Sequence, residues 1–162
     1  MKTLFLSFVI GILAIAGLYS CNDDEETPPN TNLVTYKATL NGMNETPANA
    51  STATGSATFT YNKTTYILTG TITFTGFTPT AAHIHKGASG VAGEVVFPLG
   101  TAPFTSPINF TSAVLNATQQ ADLQNGLYYV NIHSAAFPGG EIRGQLGVST
   151  TTGTGDGGGS GY

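Results

Sequence analysis

From Ala53 to Phe77 the chain reads "ATGSATFTYNKTTYILTGTITFTGF", and polar and apolar residues change places at nearly every step. A period of two puts successive side chains on opposite faces of an extended strand, whereas a helix needs apolar residues every third or fourth position. Threonine fills most of the polar positions, and its branched Cβ favours strands. The stretch therefore predicts two strands around Asn62-Lys63. The second would carry Tyr66, Leu68, Gly70, Ile72 and Phe74 on one face and most of its threonines on the other. "LVTYKATLNG" predicts a strand from Leu33 to Leu40 that ends at Asn41-Gly42, and "AAHIH" one closed by Lys86-Gly87. "GEVVFPL" predicts a strand at an edge or an end, because Pro98 has no N–H to give a ladder. With "INFTSAVL", "GLYYVNIHSA" and "GEIRGQLGV" the count reaches about eight strands. The one helical patch is "NATQQADLQNG", where Asn116 or Thr118 can cap the start and Asn125-Gly126 supplies a left-handed stop. Short strands separated by turn residues, with one short helix, predict an all-β fold: a Greek-key β-sandwich, immunoglobulin-like or superoxide-dismutase-like.

That domain occupies residues 33–148, and the segments outside it have other duties. Residues 1–20 pair Lys2 with an apolar run from Leu4 to Leu18, too short for a span of about 20 residues, and read as a secretory signal. "LYSC" resembles a bacterial lipobox, which implies cleavage before Cys21, the only cysteine, and lipidation of its side chain. Residues 21–32 form an acidic, proline-bearing tether. Its run from Asp23 to Glu26 resembles the export signal that Bacteroidetes-type bacteria place behind the lipidated cysteine. The resemblance implies an outer-membrane lipoprotein facing the cell exterior, with the membrane as a partner through the anchor. The Gly-rich stretch 149–162 lacks apolar pattern and is expected to be disordered.

Charged residues make up 9% of the chain, against about 25% in ordinary globular domains. Once Lys2 leaves with the signal, the formal charge of -4 becomes more negative still, and only Lys37, Lys63, Lys86 and Arg143 remain basic. Nucleic-acid binding needs a clustered basic face, so that class is excluded. Glu45 and Glu94 lie in separate segments, which gives no argument for a glycosidase pair, and no G-x-S-x-G turn or phosphate loop is present.

The chain has three histidines, and all fall in two strand-like segments: His83 and His85 in "TAAHIHKG", His133 in "YVNIHSA". Residues i and i+2 of a strand share a face, so His83 and His85 would project together, about 6.5–7 Å apart at Cα, with Ala82 and Ile84 on the other side. Two imidazoles so placed can reach one ion at about 2.0 Å per bond. His133, on a face shared with Tyr129 and Asn131, would complete a three-His site if its strand lies alongside. Neutral imidazoles suit copper and zinc, with copper ahead on intrinsic affinity. The competing reading is a hydrogen-bonded structural cluster, in which Glu141, Arg143 and Gln145, on one face of "GEIRGQL", pair with imidazole N–H groups or with each other. In the metal reading Glu141 or Arg143 would support the ligands from behind.

Three segments together, "ATLNGMNETP", "TAAHIHKGASGVAGEVVFPL" and "LYYVNIHSAAFPGGEIRGQL", resemble the CHRD domain, named from the animal protein chordin and common in exported bacterial proteins. The likeness spans residues 34–148. It implies an extracellular β domain and brings no agreed activity. On this basis the chain is expected to be a non-catalytic binding or structural module of the cell envelope, with an unknown protein or matrix ligand as partner and copper, ahead of zinc, as the one cofactor the residues suggest. The alternative is a copper-binding redox protein on His83, His85 and His133, since H-x-H on a sandwich strand is similar to the copper-ligand strand of copper–zinc superoxide dismutase. The sequence departs from that pattern: it has no fourth histidine to bridge two metals and no disulfide partner.

Overall fold

The computed structural model describes residues 31–149. The signal segment, Cys21, the tether up to residue 30 and the tail from residue 150 lie outside them. The described residues form nine strands: β1 (Leu33–Asn41), β2 (Thr54–Asn62), β3 (Ile67–Thr75), β4 (Pro79–Lys86), β5 (Glu94–Pro98), β6 (Ile108–Thr111), β7 (Tyr128–Ser134), β8 (Ile142–Gln145) and β9 (Gly147–Val148). One helix, α1 (Ala117–Gln124), lies between β6 and β7, and a single 3-10 turn (Gly42–Asn44) follows β1. The fold is all-β with one short helix, as the alternation requires.

The strands make one antiparallel sheet in the order β5-β4-β7-β8-β1-β2-β3-β6, with β9 also on β1. Its two halves are joined at a weak seam. β8 and β1 share one ladder pair, Asn41 with Arg143, and the chain then steps through Leu146 so that β9 pairs with Tyr36 and Lys37 of β1. At that seam the sheet bends back on itself. Phe97 at one end of the sheet comes within 5.9 Å of Phe110 at the other, ring centre to ring centre. The two layers of the expected sandwich are thus halves of one curled sheet. Leu40, Phe59, Leu68 and Ile72 of one half and Ile84, Ile132 and Ile142 of the other fill the space between them, all without exposed surface. Burial of such a side chain contributes about 1.5–3 kcal/mol.

Register fixes what faces water. On the β1-β2-β3-β6 half, Thr35, Thr60, Thr69 and Thr111 stand in one row across four strands, and Lys37, Thr58, Thr71 and Asn109 in the next. This explains how so uncharged a domain covers a sheet face. Two details differ from the alternation. Tyr66 does not join the face of Leu68: with φ of 58° it occupies the turn before β3 and is exposed. β6 stops at Thr111, because Ser112 turns to hold both backbone groups of Leu68, its Oγ accepting from the amide and its amide donating to the carbonyl. The helix ends follow the expected chemistry. Asn116 and Gln119 form a reciprocal capping box, and Gly126 takes the left-handed φ of 67° that ends the helix.

Candidate metal centre

β4 and β7 are adjacent antiparallel partners, with His83 opposite Asn131, His85 opposite Tyr129 and Ala81 opposite His133. Ala82, Ile84, Val130 and Ile132 occupy the core side of these strands. The three histidines therefore leave on the outer side, and their rings gather there. Ring centroids lie 5.1 Å apart for His83 and His133, 5.5 Å for His83 and His85, and 6.1 Å for His85 and His133. One ligand nitrogen from each falls within 4.8 Å of the others. Two nitrogens on one ion at about 2.0 Å, at a tetrahedral angle, are about 3.3 Å apart. Nδ1 of His83 and Nε2 of His133 are already 3.2 Å apart. The widest pair has at most about 1.5 Å to close. The cluster could hold a metal ion.

Backbone carbonyls set the ring protons. Nδ1 of His85 donates to the carbonyl of Gly93 at 3.0 Å, and Nδ1 of His133 donates to that of Pro138 at 3.1 Å. The assignment follows from chemistry, since a carbonyl can only accept. Each neutral ring then carries its lone pair on Nε2. For His133 that lone pair accepts from His83 Nδ1, which must hold the proton between them. For His85 the Nε2 is buried and has no partner. Burial holds His83 and His133 below the ordinary imidazole value of 6.5, and repulsion from neighbouring imidazoles adds to it, while the Pro138 carbonyl works the other way at His133. An unfolded chain would take up protons at 6.5 that these rings resist, so the metal-free fold loses stability as pH falls below that value. Near neutrality the rings of His83 and His133 are therefore uncharged.

The outer side of this half is not open surface. Loops 42–49, 87–93 and 135–140 lie over it and bury a polar layer. Arg143 of β8 donates to the carbonyls of Ala88 and Val91 at 3.0 Å each and to Thr46 at 3.3 Å. Gln145 donates to the carbonyls of Gly87 and Gly126. Glu141 accepts from the hydroxyl of a loop serine, Ser51, at 2.7 Å, and not from an imidazole. Arg143 meets Gln145 at 3.5 Å and covers the Tyr129 ring at 3.5 Å. β7 separates β8 from β4. Across β7, Gln145 stands opposite Tyr129 and Arg143 opposite Asn131, so these two β7 residues lie between the β8 side chains and the histidine strand β4. The residues that hold the imidazole protons, Gly93 and Pro138, act through their backbones. No side-chain pattern could have marked them, although Gly93 is confined by packing: a Cβ there would collide with the Lys86 carbonyl.

Glu45 sits at the edge of this layer, with Asn131 donating weakly to it at 3.5 Å. Burial pushes its carboxyl from 4.5 up to about 7, against the pull of Arg143, the Thr46 amide and Asn131. Its Oε1 and the Asn131 Oδ1 are both buried without a donor. The folded protein keeps this proton between pH 4.5 and about 7 while an unfolded chain releases it, so stability falls as pH rises through that window. Glu45→Gln should remove the penalty. Its stability gain over the parent should be near zero at pH 4 and on the order of 2 kcal/mol at pH 8, read by urea denaturation. A gain that does not change with pH would contradict this.

A curled antiparallel sheet with three converging imidazoles on one outer side defines an all-β domain with a candidate metal centre. The family model for the CHRD domain matches residues 36–146, and the chain belongs to that family. Searches of curated proteins and of solved structures gave no match.

Proposed function

We propose that this CHRD domain is a non-catalytic binding module of the cell envelope and that its ligand is a transition-metal ion, copper ahead of zinc, held by His83, His85 and His133. One observation carries the reading: the Nε2 of His85 is buried and partnerless, its Nδ1 being held by the Gly93 carbonyl, in a ring that clusters with two other imidazoles. An unsatisfied buried acceptor costs about 1–3 kcal/mol, and a bound cation would offset that. Nitrogen ligands favour copper over zinc on intrinsic affinity. Purified full-length protein dialysed against equal Cu(II) and Zn(II) should retain copper, and the triple His→Ala variant should retain neither. Preferential retention of zinc would overturn the choice of ion, and retention of no metal would overturn the site.

A redox role on the same residues is the second reading. It is favoured by the partial exposure of His83 and His133, which leaves one side of a bound ion accessible to a small reactant. Copper-loaded protein that does not accelerate superoxide decay would remove it. The proposal also places the domain on a lipid anchor at Cys21, facing outward from the outer membrane. It rests on the lipobox-like "LYSC" and the acidic run behind it. Intact mass of membrane-extracted protein should show a lipid-bearing N-terminal Cys21, and an unmodified Cys21 would count against it. Changing Asp23 to Glu26 to Ala should keep the lipid but lower protease accessibility on whole cells.

A further inference from the structure

Tyr129 touches both the ring and the backbone that fix His85. Its ring lies nearly parallel to that imidazole, 5.1 Å away with an interplanar angle of 11°. Its hydroxyl accepts from the Gly93 amide at 3.0 Å, and the carbonyl of that same Gly93 accepts from His85 Nδ1 at 3.0 Å. Tyr129 is itself held. It is 2% exposed although it lies outside the apolar core, and the Arg143 guanidinium, 3% exposed and tied to the 88–91 loop by two carbonyls, sits 3.5 Å from its ring centre. β4 and β8 flank β7 on its two sides, so Tyr129 is gripped from both.

We infer that Tyr129 is the positioning residue of the three-histidine cluster, fixing the plane of His85 by its ring and the His85 proton by its hydroxyl through Gly93. The inference rests on the metal reading for its consequence in affinity. A ligand whose plane and tautomer are set in advance loses little freedom when an ion arrives, and outer partners of this kind change metal affinity by about 10–100-fold. His83 and His133 face each other across a hydrogen bond that an ion must replace, so His85 is the ligand that stands ready. The ring and the hydroxyl make separable contributions, because phenylalanine keeps the first and loses the second.

The test uses full-length protein, Cu(II) as probe, and the variants Tyr129→Phe, Tyr129→Leu and Tyr129→Met. Tyr129→Leu should weaken Cu(II) binding by about 10–100-fold and alter the Cu(II) paramagnetic resonance spectrum. Tyr129→Phe should keep the wild-type spectrum and most of the affinity. Wild-type affinity and spectrum in a folded Tyr129→Leu protein would overturn the inference, as would an equal loss in Phe and Leu. If Leu fails to fold, Met decides, since it fills the space without an aromatic face: unchanged binding overturns the inference and weakened binding supports it. If the wild-type protein takes up no Cu(II), the metal reading fails, and positioning is then read from the metal-free ring. ¹⁵N spectra should show His85 as a single Nδ1–H tautomer in wild type and a mixture in the Leu or Met variant. A single unchanged tautomer in those variants would overturn it.

Discussion

Ile132→Ala should destabilise the domain by about 2–5 kcal/mol, the range for removing a large aliphatic side chain from a packed core. Ile132 is fully buried at the centre of β7. It stands opposite Ala82 on β4 and Ile142 on β8, so the cavity would open between three paired strands that cannot collapse without breaking their ladders. The matched control is Thr71→Ala on the exposed row of the other half, where the usual surface change is within about 0.5 kcal/mol. Urea denaturation of both variants checks the assignment of strand faces. A loss below about 0.5 kcal/mol at Ile132 would mean that the core lies on the histidine side.

The strand faces were legible because alternation speaks directly of them. Leu68 and Ile72, Ile84, and Val130 and Ile132 all lie inward as their parity requires. The capped helix was legible from Asn116 and Gly126, whose side chain and backbone freedom act locally. Other features depend on relations that a linear pattern does not carry. The adjacency of β4 and β7 is one, since 41 residues separate Lys86 from Tyr128 and only the sheet order joins them. A second is the polar layer on the outer side. Period two predicts that Tyr129, Asn131 and Arg143 point away from the core, and they do, yet each is buried by loops whose paths no periodicity sets. A third is the partners of the imidazole N–H groups. The sequence offered the side chains of Glu141, Arg143 and Gln145, whereas the fold uses the carbonyls of Gly93 and Pro138. Backbone groups are available at every residue, so composition is silent about which of them will be used.

His85→Ala should have the largest effect on binding. This ring supplies the one buried, partnerless nitrogen of the cluster. Its removal leaves His83 and His133 hydrogen-bonded to each other, a pair with no reason to open for an ion. The loss of Cu(II) affinity should exceed the roughly 10–100-fold typical of outer partners, and calorimetry at neutral pH measures it. The fold should survive, because the side chain lies outside the apolar core. A folded His85→Ala protein that binds Cu(II) as tightly as the parent would show that the ion sits elsewhere.

The central claim is that His83, His85 and His133 form one metal centre. Calorimetric titration of the wild-type protein with Cu(II), at pH 7 and again at pH 5, tests it most directly. Ligand nitrogens must be unprotonated to bind. One saturable site per chain is expected at pH 7, weakened at pH 5 as protons compete for the imidazoles, and absent at both values when all three histidines are alanine. No saturable binding by the wild-type protein, or binding that the triple variant keeps, would contradict it.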